Sequence, residues 1–197
     1  FVHNLDVLNW VLDGHPESAL AMGGRISRVG PDYGHIYDHF SVEYEYAGGV
    51  RVEAKCRQIA DCTTRNTNTI IGTKGVADLH PGSTQIRSHD GDILFDHPER
   101  GNNGYVQEHA DLIEAIRSGS PINESHQIAV STLTGVMGRE SAYTGKNITW
   151  EELMAANNDL VPRDFKFGPM PIPAVAEPGR TELNRAPWAA KTFSTGS

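Results

Sequence analysis

Cysteine is scarce in this sequence: Cys56 and Cys62 are the only two among 197 residues. Six positions apart, they form neither a CxxC pair nor a disulfide framework, and they read as structural thiols. Long apolar runs are absent too. No window reaches the roughly 18–20 uncharged apolar residues that a spanning helix requires, so no membrane partner is expected. Positive charge is in deficit: 17 Lys and Arg stand against 25 Asp and Glu, a formal charge of −8. That balance argues against binding a phosphate backbone, and no nucleic-acid partner is expected. A phosphate-cradling glycine loop is missing as well. Gly72-Thr73-Lys74-Gly75 fits neither GxxxxGK[ST] nor GxGxxG and reads as a turn. No GxSxG elbow and no HExxH motif occurs. Finally, the chain does not begin with Met. It opens at Phe1-Val2-His3-Asn4-Leu5-Asp6, inside a helical pattern, which predicts that a further portion precedes it.

What is present describes an ordinary globular domain, 38% apolar and 21% charged. Residues 3–13 read as a helix with Val7, Leu8, Val11 and Leu12 as its stripe and Gly14 and Pro16 at its end. The strongest strand signal follows. Phe40, Val42, Tyr44 and Tyr46 alternate with Ser41, Glu43 and Glu45, and the alternation resumes after Ala47-Gly48-Gly49 with Val50, Val52, Ala54 and Cys56. This is a hairpin with one buried and one charged face. Pairing 46 with 50 sets Glu45 opposite Arg51, and sets Glu43 opposite Glu53 with Arg51 and Lys55 on the diagonals. Shorter strands are expected near 67–72, 76–80, 84–88 and 92–96, in sequence and without intervening helices, hence antiparallel.

Two helices come next, at 104–118 and 124–144. The first carries Tyr105, His109, Leu112 and Ile116 in one stripe, with His109 expected to pack in the core. The second presents Ser131, Thr134, Gly135, Gly138 and Ala142 on one face, which predicts a close packing seam. Thr149-Trp150-Glu151-Glu152 is a capping box. From about 162 prolines accumulate, suiting an extended arm that carries Phe165, Phe167, Leu183 and Trp188. The fold class expected is α+β: an open, predominantly antiparallel sheet with helices packed on one face over residues 1–160, followed by an arm over 161–197.

Candidate chemistry is spread along this frame. His3 and Asp6 are three apart and share a helix face, the spacing at which a carboxylate can orient a proton-transferring imidazole. Taken alone, a capping or packing role explains the histidine better. Trp10 suits stacking on a sugar ring or burial in a core. His35, Asp38 and His39 cluster at a turn entering a strand, where a metal pair lacks the helical spacing it would need. A polar rim for a hydroxylated ligand fits better. Arg57 and Gln58 end a strand and Arg65 and Asn66 lie in the loop beyond, positions and side chains suited to sugar hydroxyls or a carboxylate.

Taken in order, several segments resemble the C-terminal domain of the Gfo/Idh/MocA (glucose–fructose oxidoreductase / inositol dehydrogenase) family. They are His3-Asn4-Leu5-Asp6-Val7-Leu8-Asn9-Trp10, Ile36-Tyr37-Asp38-His39-Phe40, Ile71-Gly72-Thr73-Lys74-Gly75, Tyr105-Val106-Gln107-Glu108-His109, Pro121-Ile122-Asn123-Glu124, and Met137-Gly138-Arg139 through Tyr143-Thr144-Gly145. The proline-rich ending resembles a bacterial subgroup with a long C-terminal arm. The resemblance implies the substrate-binding and oligomerisation half of an NAD(P)-dependent oxidoreductase acting on a sugar, polyol or related compound. NAD or NADP would be held by an N-terminal Rossmann domain outside this chain, with no tight binding to the chain itself. The resemblance makes His3 the general acid/base with Asp6 beside it. Trp10, Tyr37, His39, Arg57 and Arg65 are the candidate substrate contacts. A homo-oligomer is expected, in a compartment left open between cytoplasm and periplasm. Two rivals stand beside it: a non-catalytic dimerisation or scaffold domain of the same fold, and a metal-dependent isomerase or hydrolase using His35, Asp38 and His39.

Overall fold

The computed structural model describes residues 1–80, 83–98, 103–156, 167–168 and 172–184. The described elements divide into two compact units, one formed by Phe1–Asp61 with Ala129–Ser197 and the other by Cys62–Ile128. Both are built on antiparallel strands, as an α+β reading requires, and the strands form two four-stranded sheets.

In the first unit the helix α1 (Val2–Leu12) leads into β1 (Ser18–Gly24), and the hairpin follows as β2 (His39–Tyr46) and β3 (Val50–Arg57). The hairpin turns on Gly48 and Gly49, at φ 74° and 78°, a left-handed region where a side chain would be strained. Its register is the one expected from the turn: Tyr46 pairs with Val50, Glu45 with Arg51 and Glu43 with Glu53. Arg51 reaches diagonally to Glu43, and Lys55 binds Glu53 at 2.7 Å, so the like-charged pair is neutralised on both sides. The sheet order is β3-β2-β1-β8, where β8 (Ile148–Thr149) adds two residues to the edge of β1.

One face of that sheet carries the core. Ala19, Ala21, Val42, Tyr44, Tyr46 and Ile148 pack against Leu5 of α1 and Met137 and Ala142 of α3 (Ser125–Thr144). The small-residue seam sits where the spacing predicts it. Ser131, Thr134, Gly138 and Ala142 are buried. A Cβ on Gly138 would strike Tyr44 Oη and lie 3.0 and 3.1 Å from the Val42 methyls, so glycine is required for the helix to lie this close to the sheet. The short helix α4 (Trp150–Ala155) opens with the capping box, Thr149 accepting from Glu152 N–H and Glu152 reciprocating. The His15 ring stacks on Trp150 at a centroid distance of 3.9 Å. Of the proline-rich ending, residues 176–183 lie along this unit: Gly179 N–H donates to Thr144 O, and Leu183 packs on the core. Phe165 and Trp188 lie outside the described residues.

The second unit is a meander, β4 (Asn68–Ile71), β5 (Gly75–His80), β6 (Ser83–Ser88) and β7 (Ile93–Pro98), followed by α2 (Gly104–Ser118). Ile70, Ala77, Ile86 and Phe95 are register partners in one row across it. Asn103 caps α2 by accepting from Tyr105 N–H, and Gly119 ends it in the left-handed region. His109 departs from its expected core position. It is exposed, with Nδ1 at 2.6 Å from Tyr105 O, because α2 leaves its stripe of Tyr105, Leu112 and Ile116 exposed.

The seam yields a paired test. Gly138→Ala should lower unfolding free energy by about 2 kcal/mol, the usual cost of overpacking. Gly135→Ala, whose new methyl would meet only Leu5 at 3.8 Å, should be neutral or stabilising by up to about 1 kcal/mol. Urea titrations of both variants check the contrast.

Candidate functional site

Helix α1 turns two faces to different neighbours. Leu5 and Asn9 are buried, while His3 and Trp10, seven residues or about 10.5 Å apart along the axis, point outward on the other face. Trp10 is 75% exposed. The helix ends with Asp13 in the left-handed region at φ 49°.

A directed chain of hydrogen bonds fixes this helix in place. Tyr46 Oη donates to Asn9 Oδ1 at 2.7 Å. Asn9 Nδ2 donates to Ser131 Oγ at 3.2 Å and to Thr134 Oγ1 at 3.1 Å. Ser131 Oγ then donates to Asp6 Oδ1 at 2.6 Å. Thr134 Oγ1 passes its own proton to Val130 O, and Tyr44 Oη donates to Thr134 O. Burial pushes both tyrosine hydroxyls up, so they remain donors throughout the ordinary pH range. Asp6 is thus an anchor of α1 to α3, and the same helix carries His3 outward. Sequence spacing paired Asp6 with His3. The buried Asn9, which joins the sheet, α1 and α3, gave no such signal, because a lone polar residue in an apolar stripe has no recognisable pattern.

The other candidates gather elsewhere. Tyr37 is buried, its ring edge-on to Tyr143 at 4.6 Å and its hydroxyl donating to Ala176 O at 2.8 Å. Asp38 is buried and saturated. Its Oδ2 accepts the backbone N–H groups of Ile26, Ser27 and Arg28 at 3.0, 2.7 and 2.9 Å, and its Oδ1 faces His39 Nδ1 at 2.8 Å. Burial alone would raise this carboxyl. The hydrogen bonds from Arg28, His39, Ser27 and Ile26 outweigh it and hold the group well below the usual carboxylate range. Arg25 secures the same loop by donating to the carbonyls of Arg28, Gly30 and Gly34. His39 pairs in register with Arg57 and with Gly24, on the sheet face opposite the core. It lies seven residues, about 23 Å, along β2 from Tyr46, where α1 is tied. Arg65 is exposed in the second unit. His3, Asp6 and Trp10 therefore share one helix, and His39 and Arg57 share a different place. Among the described residues, no group of three or more His, Cys, Asp or Glu is arranged to hold a metal ion. None of their helices is long and apolar enough to cross a membrane.

The first unit is thus an antiparallel sheet with helices on its core face, and α1 presents His3 and Trp10 outward. Residues 1–78 match the model of the GFO/IDH/MocA C-terminal domain. Over this segment the chain resembles the C-terminal domain of the Gfo/Idh/MocA family. It is similar to an inositol 2-dehydrogenase of Azotobacter vinelandii, 31% identical over 126 residues, covering 60% of this chain and 36% of that protein. The fold is similar to that of an aldose-aldose oxidoreductase from Caulobacter crescentus complexed with glycerol. There the TM-score is 0.59 and the identity 15%, over 75% of this chain and 45% of the other. It is also similar to a putative myo-inositol dehydrogenase from Sinorhizobium meliloti, with a TM-score of 0.54 and 20% identity over 75% of this chain and 47% of the other. The chain thus spans less than half the length of these relatives.

The Asp38 clasp generates a measurable pH effect. With the folded carboxyl depressed, its stabilisation is fully present above about pH 5 and is lost as pH falls below the ordinary carboxylate value near 4. Asp38→Ala, which strands three N–H groups, should cost about 3 kcal/mol at neutral pH. In urea titrations across pH, the gap between wild type and variant should narrow on acidification.

Proposed function

We propose that this chain is the substrate-binding half of an NAD(P)-dependent oxidoreductase acting on a sugar, polyol or related compound. His3 is its general acid/base. The observation that carries the reading is the outward face of α1, within the segment that matches the family. An imidazole and an indole stand two turns apart there, on a helix whose buried side is locked by Asn9 and Asp6. Locking matters because proton transfer demands a fixed distance between the imidazole and the reacting hydroxyl. His3 accepts the hydroxyl proton of an alcohol substrate, or returns it to a carbonyl. Trp10 offers an apolar plate for the C–H face of a sugar ring.

The cofactor does not fit this chain alone. A dinucleotide site needs parallel βαβ units with a glycine loop at a helix start, whereas the described strands pair antiparallel and the sequence has no such loop. When bound to a Rossmann domain, the nicotinamide supplies hydride chemistry. Self-association is assigned to the outer face of the β1–β2–β3 sheet, where Leu20 and Met22 stand 53% and 76% exposed beside a charged grid. That same face favours the scaffold reading.

Three outcomes are expected. Titrating this chain with NAD(H) should give no tight binding, and micromolar affinity would overturn that part. His3→Ala in the enzyme that contains this domain should reduce kcat about 10²-fold or more, and near-normal turnover would leave the scaffold reading. Met22→Glu should shift the chain toward monomer in sedimentation velocity without altering its far-UV spectrum.

A further inference from the structure

Helix α2 of the second unit turns its apolar side to solvent. Tyr105, Leu112 and Ile116 recur seven and four residues apart, with Val106 and Ile113 beside them, so the five share one face. Each is between 47% and 80% exposed. Glu108, Asp111 and Glu114 lie round the other side with the buried Ala115, so the stripe itself carries no carboxylate. His109 falls within it. Its Nδ1–H is spent on Tyr105 O at 2.6 Å, which leaves only Nε2 to be satisfied. Five side chains of this size keep roughly 600 Å² clear, and two copies covering each other would remove up to about 1,200 Å². That area reaches the lower limit for a specific, stable interface.

We propose that α2 is a self-association surface, on which two copies of this chain pair their α2 helices antiparallel about a two-fold axis near Leu112 and Ile113. The occupant is a second copy because the stripe complements itself in this direction. Antiparallel pairing sets the two helix dipoles favourably against each other, whereas parallel pairing aligns them. With the axis at 112–113, Leu112 and Ile113 meet their own copies, and Ile116 lies over the partner's His109. An axis at the middle of the stripe would instead bring the two His109 rings together, each offering Nε2 as an acceptor with no donor between them. Tyr105 then reaches the turn at the partner's Gly119, a position where even an added Cβ would meet nothing within 4 Å. The seam lies in the second unit. It depends neither on the oxidoreductase reading nor on association through the outer face of β1–β2–β3.

Sedimentation velocity over a range of protein concentrations tests the surface, and disulfide capture tests the direction. Ile116→Glu should raise the dissociation constant of self-association about tenfold or more. Ile71→Glu, at a comparably exposed isoleucine of β4 in the same unit, should leave it unchanged. Under mild oxidation Leu112→Cys should form a covalent dimer across the axis. Tyr105→Cys should not exceed the wild-type background set by Cys56 and Cys62, because the two copies of position 105 stand about 22 Å apart along the seam. A chain that stays monomeric at every concentration, or that Ile71→Glu weakens as much as Ile116→Glu, would overturn the proposal. Association untouched by Ile116→Glu would overturn it too, leaving the outer sheet face as the interface. So would capture at both positions, which marks a parallel pair, at position 105 alone, or at neither.

Discussion

The first unit depends on one buried amide. Asn9 joins three elements at once, accepting from Tyr46 of β2 and donating to Ser131 and Thr134 of α3. An amide has one acceptor and two donors to place, and here each has a partner with the correct polarity. The apolar contacts of Leu5, Met137 and Tyr44 hold the layers together. They would tolerate a sliding helix, which the hydrogen bonds do not. Buried polar chains of this kind are costly when half satisfied and specific when complete. The outward residues of α1 inherit that specificity, since their direction is set by the buried ones.

A second constraint works at the opposite end of β2. The loop from Arg25 to Asp38 leaves Ile26, Val29, Tyr33 and Ile36 exposed, and it is ordered by ionic groups acting on backbone. Arg25 gathers three carbonyls, and Asp38 gathers three N–H groups. A cation on carbonyls and an anion on amides divide the loop's unsatisfied backbone between them. The two clasps leave His39 at the rim with one nitrogen already committed.

Legibility in the sequence follows the range of the interactions. The hairpin register was readable in part: the Ala47-Gly48-Gly49 turn suggested Tyr46 opposite Val50, and Arg51 and Lys55 compensate the Glu43–Glu53 pairing that follows. The seam on α3 was readable because close helix–sheet approach requires small residues at helical spacing. The division of the strands into two sheets was not, since consecutive hairpins look alike whether or not the chain between them breaks the ladder. Asp38 gave no warning of its role, because its partners are peptide groups ten to twelve residues earlier, and backbone carries no residue code. His109 misled for a related reason. A helical stripe records which face is apolar and says nothing of whether a neighbour covers it.

The edge of β1 has its own closure. β8 pairs only as far as Ala19, and the next inward N–H, that of Ala21, donates instead to Ser141 Oγ of α3, whose own proton goes to Lys146 O. A side chain from the overlying helix thus stands in for a missing strand. This edge offers no template at that point for another chain to extend. It also means that helix and sheet cannot part locally: lifting α3 by a few ångströms would strand a buried donor as well as expose apolar surface. The two layers should therefore respond to a ligand or a neighbouring subunit as one rigid plate, passing a push on one face directly to the other.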